Sequence, residues 1–310
     1  MTNVTSICLD KNFSTTQLLT KEAPDVSGNI KEISSDTNKA FETVLFLPEG
    51  EGRQGEGGLR TEGYFKRSYN NRPLITVVTV VFNGEAYLEE TIKSVIDQTY
   101  DNVEYIIIDG GSTDGTLEII KKYESQIDYW VSEKDSGIYD AMNKGASLAR
   151  GDYVAYLNAD DWYDLSTIDD VVKAILGHRT VDFIYGNVAI VKDGVRIKTF
   201  YPKIKKFKTK MPFGHPSLFL KREVLLKLQF SYEYPVIADY DLIIKLIINK
   251  YTSVHVNKQL THFRLDGVSS TTSLKQEHYR LYKNHFGSLH ALVYLIIQSV
   301  KDIIKPIIKK

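Results

Sequence analysis

The sequence has a single cysteine, no excess charge of either sign and no long apolar run. One cysteine, Cys8, in 310 residues excludes an internal disulfide framework and fits a reducing compartment. Lys and Arg number 39, as do Asp and Glu, so the basic excess typical of nucleic-acid-binding proteins is absent. No stretch reaches the roughly 18 apolar residues of a membrane-spanning helix, and no secretory signal is visible. We therefore expect a cytoplasmic globular protein with one large domain or two small ones.

Residues 1–72 differ from the rest of the chain. They are rich in Ser, Thr, Asn, Lys and Glu, and they include the glycine-rich stretch GEGRQGEGG (Gly50–Gly58). Glycine-rich segments of this kind are flexible. The sequence predicts a flexible or loosely ordered N-terminal extension, with an ordered appendage as the alternative.

Residues 73–288 alternate between apolar strands and amphipathic helices. LITVVTVVF (Leu74–Phe82) and VEYIIID (Val103–Asp109) are β-branched runs, and each precedes a helical pattern. A third strand is predicted near Tyr129–Ser132, and a fourth in YVAYLN. The pattern then becomes mixed, with a hairpin around Asp193–Gly194. This alternation predicts an α/β fold with a mostly parallel sheet and helices on both faces.

Residues 289–310 form a third region, with apolar residues at helical spacing and a lysine-rich end. Leu289, Leu292, Val293 and Ile296 begin the apolar stripe, which continues toward Lys309 and Lys310. The pattern predicts a basic amphipathic helix. It could lie on an anionic membrane surface, dock on the catalytic core, or join two subunits of a homodimer.

Polar residues follow three of the predicted strands. Asn83 follows the first strand, Asp109 ends the second, and Asn158 begins the NADD stretch after the fourth. Open α/β sheets bind ligands beyond the carboxyl ends of their strands. GGSTDGT after Asp109 lacks the glycine spacing of dinucleotide-binding folds and the lysine of a P-loop, which disfavours both classes. We expect Asp109 to bind a nucleobase or ribose hydroxyl, while Ser112 or Thr113 caps the next helix.

Two adjacent carboxylates, Asp160 and Asp161, are costly at the end of a buried strand. The next predicted helix, near Thr167, starts too far along to need both as caps. Mg²⁺ and Mn²⁺ are typically held by one or two carboxylates together with phosphate oxygens. The pair therefore predicts a metal site that anchors a diphosphate. A second acidic pair, Asp239 and Asp241, begins a predicted helix, where acids also serve as caps.

The motif series of this chain resembles family 2 glycosyltransferases with the GT-A fold. The motifs are VVTVVFN, IIIDGGSTDGT, DSGIYDAMNKGASLARGDYVAYLNADDW, FIYGN, GHPSLFLKREVL and ADYDLIIKL, in family order over roughly Leu74–Ser270. Within the family, the chain looks most like bacterial enzymes that build surface polysaccharides. The resemblance implies a GT-A fold and a hexosyltransferase-type activity.

The resemblance also implies donor-binding and metal-binding roles. Asp109 matches the acid that holds the uridine or ribose, and Asn83 lies on the same predicted edge. Gly137 and Asn143 fall in the segment that closes over the nucleotide. The block from Asn158 to Asp161 matches the DxD motif, with Asn in place of its first acid. Metal binding is therefore expected at Asp160, with Asp161 as helper or alternative.

Three further positions match the family's catalytic end. Asp239 matches the general base, although Ala238 stands where the family often has Glu. His215 matches a polar position near the acceptor and leaving group, with a buried structural histidine as the alternative. Arg264 matches a contact to the donor diphosphate, with a solvated strand-end arginine as the alternative.

The implied reaction is inverting, metal-assisted transfer of a sugar from a nucleotide-diphosphate donor, expected to be a UDP-sugar. The acceptor is a hydroxyl of a glycan or of a polyprenyl-linked oligosaccharide at the inner face of the cytoplasmic membrane. The oligomeric state stays open, and a homodimer is one option. A sugar-nucleotide pyrophosphorylase is disfavoured because VFNGEAYL after the first strand has no basic residue. A non-catalytic polysaccharide-binding protein is disfavoured by the intact acids.

Overall fold

The computed structural model describes residues 6–25, 43–265 and 274–308, with side chains to residue 300. Within this part of the chain, ten strands form one sheet in the order β1-β4-β3-β2-β5-β9-β7-β10-β6, and β8 pairs with β7. The strands are β1 Gly55–Gly57, β2 Ile75–Val81, β3 Val103–Asp109, β4 Tyr129–Ser132, β5 Tyr153–Tyr156, β6 Trp162–Tyr163, β7 Phe183–Lys192, β8 Val195–Phe200, β9 Phe219–Lys221 and β10 Ser253–Arg264.

Helices cover both faces of this sheet. They are α1 Leu88–Ile96, α2 Thr116–Lys122, α3 Ile138–Leu148, α4 Thr167–Leu176, α5 Arg222–Leu228, α6 Ala238–Ile248, α7 Leu274–Phe286 and α8 Ser288–Ile308. Central strand β2 explains the two layers, because all seven of its residues are buried. Val78 and Val80 pack into the layer that contains α3, whereas Val77 and Val81 pack into the layer that contains α1. The prediction of an α/β fold with a mostly parallel sheet and helices on both faces is confirmed.

The parallel strands gather the site. β4, β3, β2 and β5 are neighbours and run parallel, so their carboxyl ends meet at one edge. In the second half, β9 runs antiparallel between β5 and β7. The short β6 pairs antiparallel with the end of β10, through Thr261 and His262. This pairing brings the segment after β5 against the end of β10, which positions the acidic pair.

Within the predicted N-terminal extension, residues 6–25 and 43–72 contact the rest of the protein, as in the alternative of an ordered appendage. β1 extends the sheet beside β4. Arg60 forms a buried ion pair with Glu104 at 2.7 Å, and Lys66 forms another with Asp128 at 2.7 Å. These two basic side chains neutralise carboxylates that are buried on β3 and just before β4. The composition of residues 1–72 alone does not indicate these contacts. The remainder of residues 1–72 lies outside the described residues.

The C-terminal helix forms as α8, over Ser288–Ile308, and packs against α7. Ala291 is buried, and Tyr294 contacts Tyr282 of α7 with ring centroids 4.6 Å apart. In the described part of the chain, no helix is long and apolar enough to span a membrane. The side chains of residues 301–310, including the predicted lysine-rich end, lie outside the described residues.

Candidate active site

The loops that follow β2 and β3 are hydrogen-bonded to each other. Asn83 adopts a left-handed conformation with φ of 52°. Its backbone N–H donates to Ser112 Oγ at 2.7 Å, and its side-chain oxygen accepts from the Thr113 backbone N–H at 2.9 Å. Glu85 accepts from the Gly115 N–H at 2.7 Å. Asn83 therefore lies at the predicted edge, where its described contacts join two loops. Its donor-binding role stays a prediction.

Asp109 is a fully buried carboxylate with several hydrogen-bond donors. The Ser112 hydroxyl donates to Oδ1, and the Ser132 hydroxyl donates to Oδ2 at 2.5 Å. The Ser112 N–H also donates to Oδ2, at 3.1 Å. Ser112 therefore donates to Asp109 and does not cap α2 as predicted, because that helix begins only at Thr116. These donors offset the loss of hydration and fix the carboxylate at the end of β3.

Asp160 and Asp161, in the loop between β5 and β6, lie in a different environment. Asp161 is fully buried, and its Oδ1 accepts from the Arg264 N–H at 3.0 Å, while its Oδ2 has no hydrogen-bond partner. Burial first, and then the neighbouring Asp160, raise the pKa of Asp161 well above its usual range. Burial likewise raises the pKa of Asp160, which is only half-buried. The site has more acidic oxygen than the protein itself satisfies.

These oxygens fit a divalent cation completed by a ligand. The side-chain oxygen of Asn158 is also buried without a partner, next to the acidic pair in sequence. Among the described residues, no group of three or more His, Cys, Asp or Glu side chains converges as a metal site. Hard cations accept one or two carboxylates when phosphate oxygens and water supply the remaining ligands. Asp160 has the exposure needed to reach such a cation, whereas Asp161 is enclosed by protein.

Arg264, the last residue of β10, braces the acidic pair. Its Nε donates to the Asp160 carbonyl at 3.1 Å, and one terminal nitrogen forms an ion pair with Glu90 at 2.7 Å. The guanidinium lies 4.0 Å from the ring centroid of Tyr87 and 4.8 Å from that of Trp162. Arg264 is 8% exposed, so the alternative of a solvated arginine is wrong. Its contact to a donor diphosphate stays a prediction.

Asp239 lies in the first turn of α6, half-buried beside α3. Its Oδ1 accepts from the Tyr139 hydroxyl at 3.0 Å and from the Tyr240 N–H at 2.8 Å. Asp241, two residues on, pairs with Lys245 and His285, each at 2.6 Å. Asp241 therefore joins α6 to α7. Asp239 has no such cation beside it among the described ion pairs, which leaves it suited to accept a proton.

His215 lies in an aromatic wall that links Asp239 to the end of β5. Its ring stacks on Tyr156, the last residue of β5, at 6.0 Å, and meets the edge of Phe230 at 5.8 Å. Burial lowers the pKa of His215, and the negative charge of Asp239 acts in the opposite direction. A neutral imidazole next to Asp239 can donate or accept one hydrogen bond without adding charge.

Gly137 and Asn143 belong to α3 and the turn before it. Gly137 has φ of 113° and sits in open space at the start of the helix. Asn143 is buried, and its amide both donates to and accepts from the backbone of Phe230, at 2.9 and 3.0 Å. This contact fixes the aromatic wall. Nucleotide contacts by either residue stay predictions.

The structure adds two residues, Asp135 and Tyr139, to the candidates that the sequence pattern indicated. Asp135 follows β4, and its carboxylate comes so close to Gly110 that a Cβ there would lie 2.5 Å from it. It therefore sits beside Asp109 on the same edge. Asp135 could have been found from the sequence, because it closely follows the predicted strand β4, just as Asp109 ends β3. Tyr139 gave no such signal, because its partner Asp239 is 100 residues away.

Comparison with known sequences identifies the family. The family description Glycosyl transferase family 2 matches residues 76–228. An uncharacterized glycosyltransferase of Methanocaldococcus jannaschii is 30% identical over 233 residues, covering 70% of this chain and 80% of its own. The chain belongs to glycosyltransferase family 2. The predicted enzyme class, glycosyltransferase, is therefore confirmed. The Bacillus subtilis glycosyltransferase TuaG, named for teichuronic acid biosynthesis, is 33% identical over 134 residues, which is 42% of this chain and 53% of TuaG.

Solved structures share the fold of this glycosyltransferase, which confirms the predicted GT-A type. TarS of S. aureus in complex with UDP-GlcNAc matches with a TM-score of 0.56 and 18% identity, over 67% of this chain and 64% of TarS. The mannosyltransferase PcManGT of Pyrobaculum calidifontis, in complex with GDP-Man and Mn²⁺, matches with a TM-score of 0.51 and 18% identity. The match covers 74% of this chain and 76% of that one. At these identities the likeness supports the fold alone.

Proposed function

We propose that this glycosyltransferase catalyses inverting, metal-assisted transfer of a sugar from a nucleotide-diphosphate donor, a UDP-sugar, to a hydroxyl of a glycan or lipid-linked acceptor. The observation that carries this proposal is the contact chain from the acidic pair to Asp239. The pair follows β5, and Tyr156 ends β5. The ring of Phe230 lies 5.1 Å from that of Tyr156 and 5.5 Å from that of Tyr139. The Tyr139 hydroxyl donates to Asp239 at 3.0 Å. A donor-anchoring acid and a candidate base thus flank one aromatic wall.

The roles of the protein groups follow from their surroundings. Asp109 and Asp135 would receive the nucleoside, since both carboxylates lie beyond the parallel strands β3 and β4. Asp160 would hold a Mn²⁺ or Mg²⁺ ion, with Asn158 and Asp161 beside it. When bound, the cation would offset the charge that develops on the diphosphate leaving group.

Asp239 would act as the general base. A carboxylate that accepts the proton of the acceptor hydroxyl makes that oxygen a better nucleophile, and such transfer typically contributes about 10²–10⁴-fold. The Tyr139 hydroxyl holds Oδ1 and leaves Oδ2 for the acceptor. Attack opposite to the leaving nucleotide inverts the anomeric centre. His215, Tyr156 and Phe230 would shield the reacting atoms from water.

The relatives support a role in polysaccharide synthesis at the cell envelope, since TuaG is named for teichuronic acid biosynthesis. We assign the reaction to the cytoplasmic side of the membrane, which agrees with a single, exposed cysteine.

The test is Asp239→Asn, with Asp241→Asn as the matched control on the same helix. A thermal-shift screen of nucleotide sugars with and without Mn²⁺ first identifies the donor, because a bound ligand stabilises the folded state. We expect Asp239→Asn to lower turnover by about 10²–10⁴-fold with unchanged donor affinity. Asp241→Asn should lower stability and retain turnover. Normal turnover by Asp239→Asn would sink the assignment of the base.

A further inference from the structure

A lysine-rich segment and the apolar face of α8 form one continuous surface. The lysine segment, residues 203–210, reads KIKKFKTK and has five lysines and no acid. All five lysines, Lys203, Lys205, Lys206, Lys208 and Lys210, are exposed. None of them takes part in an ion pair between described residues.

The apolar face of α8 lies on the side of the helix away from α7. It consists of six exposed residues at helical spacing, Leu289, Leu292, Val293, Ile296, Ile297 and Val300. Exposed fractions run from 45% at Val293 to 77% at Leu289. The inward side, with Ala291 and Tyr294, packs on α7. A row of six large apolar side chains in water is unfavourable unless something covers it.

Direct contacts join the two parts. The imidazole of His290, in the first turn of α8, contacts the Lys208 carbonyl at 2.7 Å. Lys208 Nζ also lies 5.6 Å from the ring centroid of Phe286, at the end of α7. The lysines therefore stand beside the start of the apolar face, and the sequence adds Lys301, Lys305, Lys309 and Lys310 beyond its far end.

We propose that the lysine segment and the apolar face of α8 together dock this protein on an anionic phospholipid bilayer. Stable attachment to a membrane surface takes two signals, and this surface supplies an apolar insertion and a basic patch. Each lysine near an anionic surface strengthens attachment about fivefold. Charge argues against a second copy as the occupant, because a symmetric contact through α8 would bring two lysine segments toward each other.

The position of the surface gives it a functional consequence. The Tyr240 hydroxyl, next to Asp239 in the chain, donates to the Phe207 carbonyl of the lysine segment at 2.7 Å. It also contacts the Tyr282 hydroxyl of α7 at 3.1 Å. The surface is thus built onto the helix that carries Asp239, so docking would place that end of the enzyme at the bilayer.

Vesicle co-sedimentation tests the proposal with the full chain. The vesicles contain phosphatidylcholine alone, or equal parts of phosphatidylcholine and phosphatidylglycerol. The first variant changes the five lysines of the segment to Gln. Its matched control changes five other exposed lysines, Lys11, Lys121, Lys192, Lys227 and Lys250, so that net charge is equal. A second variant carries Leu292→Ser, Ile296→Ser and Val300→Ser.

We expect wild type to bind the anionic vesicles only. Vesicle affinity should fall at least about tenfold for the lysine-segment variant and for the serine variant, and should change less than about twofold for the control. UDP affinity should stay unchanged in all of them, which separates this result from a failure of the proposed chemistry. Equal binding to both kinds of vesicle, no binding, or wild-type binding by the segment variant would overturn the proposal. So would a wild-type dimer that the serine variant converts to monomer.

Discussion

The ends of β3 and β5 both carry a fully buried carboxylate, yet the two differ in how the protein satisfies them. Asp109, at the end of β3, receives hydrogen bonds from Ser112 and Ser132. Asp161, after β5, receives one backbone hydrogen bond and keeps an oxygen without a partner. The difference teaches that burial alone does not define a role. A satisfied carboxylate is a rigid, preformed acceptor, whereas an unsatisfied acidic pair favours the arrival of positive charge.

The largest expected effect is at Asp109, the carboxylate that receives several hydrogen bonds from the protein. Asp109→Ala would leave two buried hydroxyls and one amide without their acceptor. Hydrogen bonds to charged groups contribute about 1.5–3 kcal/mol each. Removal of the buried carboxylate itself offsets part of this sum, so we expect a net loss of about 3 kcal/mol in the free energy of unfolding. Urea unfolding followed by fluorescence measures this.

Asp114→Ala is the matched control for that experiment. Asp114 accepts hydrogen bonds in the same loop, from Thr116 and from the Glu85 N–H, but it is more exposed. Its loss should be about 1 kcal/mol. Equal losses for both variants would mean that the hydrogen bonds to Asp109 are not special.

The same comparison predicts that substitution of Asp161, unlike that of Asp109, raises the stability of the protein. Asp161→Asn keeps an oxygen for the Arg264 N–H and removes a buried carboxylate that forms no ion pair between described residues. In cation-free buffer we expect the variant to be more stable than wild type by about 1–2 kcal/mol. Asp109→Asn, the same chemical change at the satisfied carboxylate, should instead lower stability. A destabilised Asp161→Asn would contradict the view of Asp161 as an electrostatic liability.

A pH series sharpens this prediction. Burial raises the pKa of both Asp160 and Asp161 in the folded protein. Between the unfolded value near 4 and the raised value, the folded state holds more protons than the unfolded state. The free energy of unfolding should therefore fall as pH rises above about 4. The difference between wild type and Asp161→Asn should carry this slope, and a difference that does not vary with pH would contradict the raised pKa.

The same contrast explains how far sequence reasoning could reach. Strand ends were predictable, because β-branched runs such as LITVVTVVF stop at polar residues, and that placed Asp109, Asn158 and Asp160 on one edge. The partner of the acidic pair was not predictable, because Arg264 follows Asp161 by more than a hundred positions. Only the pairing of β6 with β10 brings them together. Periodicity detects burial but not a contact between distant segments.

The N-terminal residues show the same limit. Gly55–Gly57 lies in the stretch that composition predicts to be flexible. In the structure, its two glycines allow the chain to lie against Trp130 as strand β1. Arg60 and Lys66 lie in the same polar region of the sequence and form buried ion pairs in the structure. Their acidic partners, Glu104 and Asp128, were hidden within or beside apolar strands. Composition indicates how a segment behaves in isolation. Here the structure of the segment depends on its contacts with β4 and with two buried acids.

The smallest expected effect concerns Arg264, which separates a brace from a ligand contact. Arg264→Lys keeps the charge but loses the planar group held between Tyr87 and Trp162 and the fork that reaches Glu90 and Asp160. If Arg264 acts by positioning the acidic pair, Mn²⁺-dependent UDP affinity should fall about tenfold, or about 1.4 kcal/mol. UDP affinity without metal should stay unchanged. Calorimetry measures both, with the exposed Arg196→Lys as control. A fall in metal-free affinity would instead indicate that Arg264 contacts the diphosphate itself.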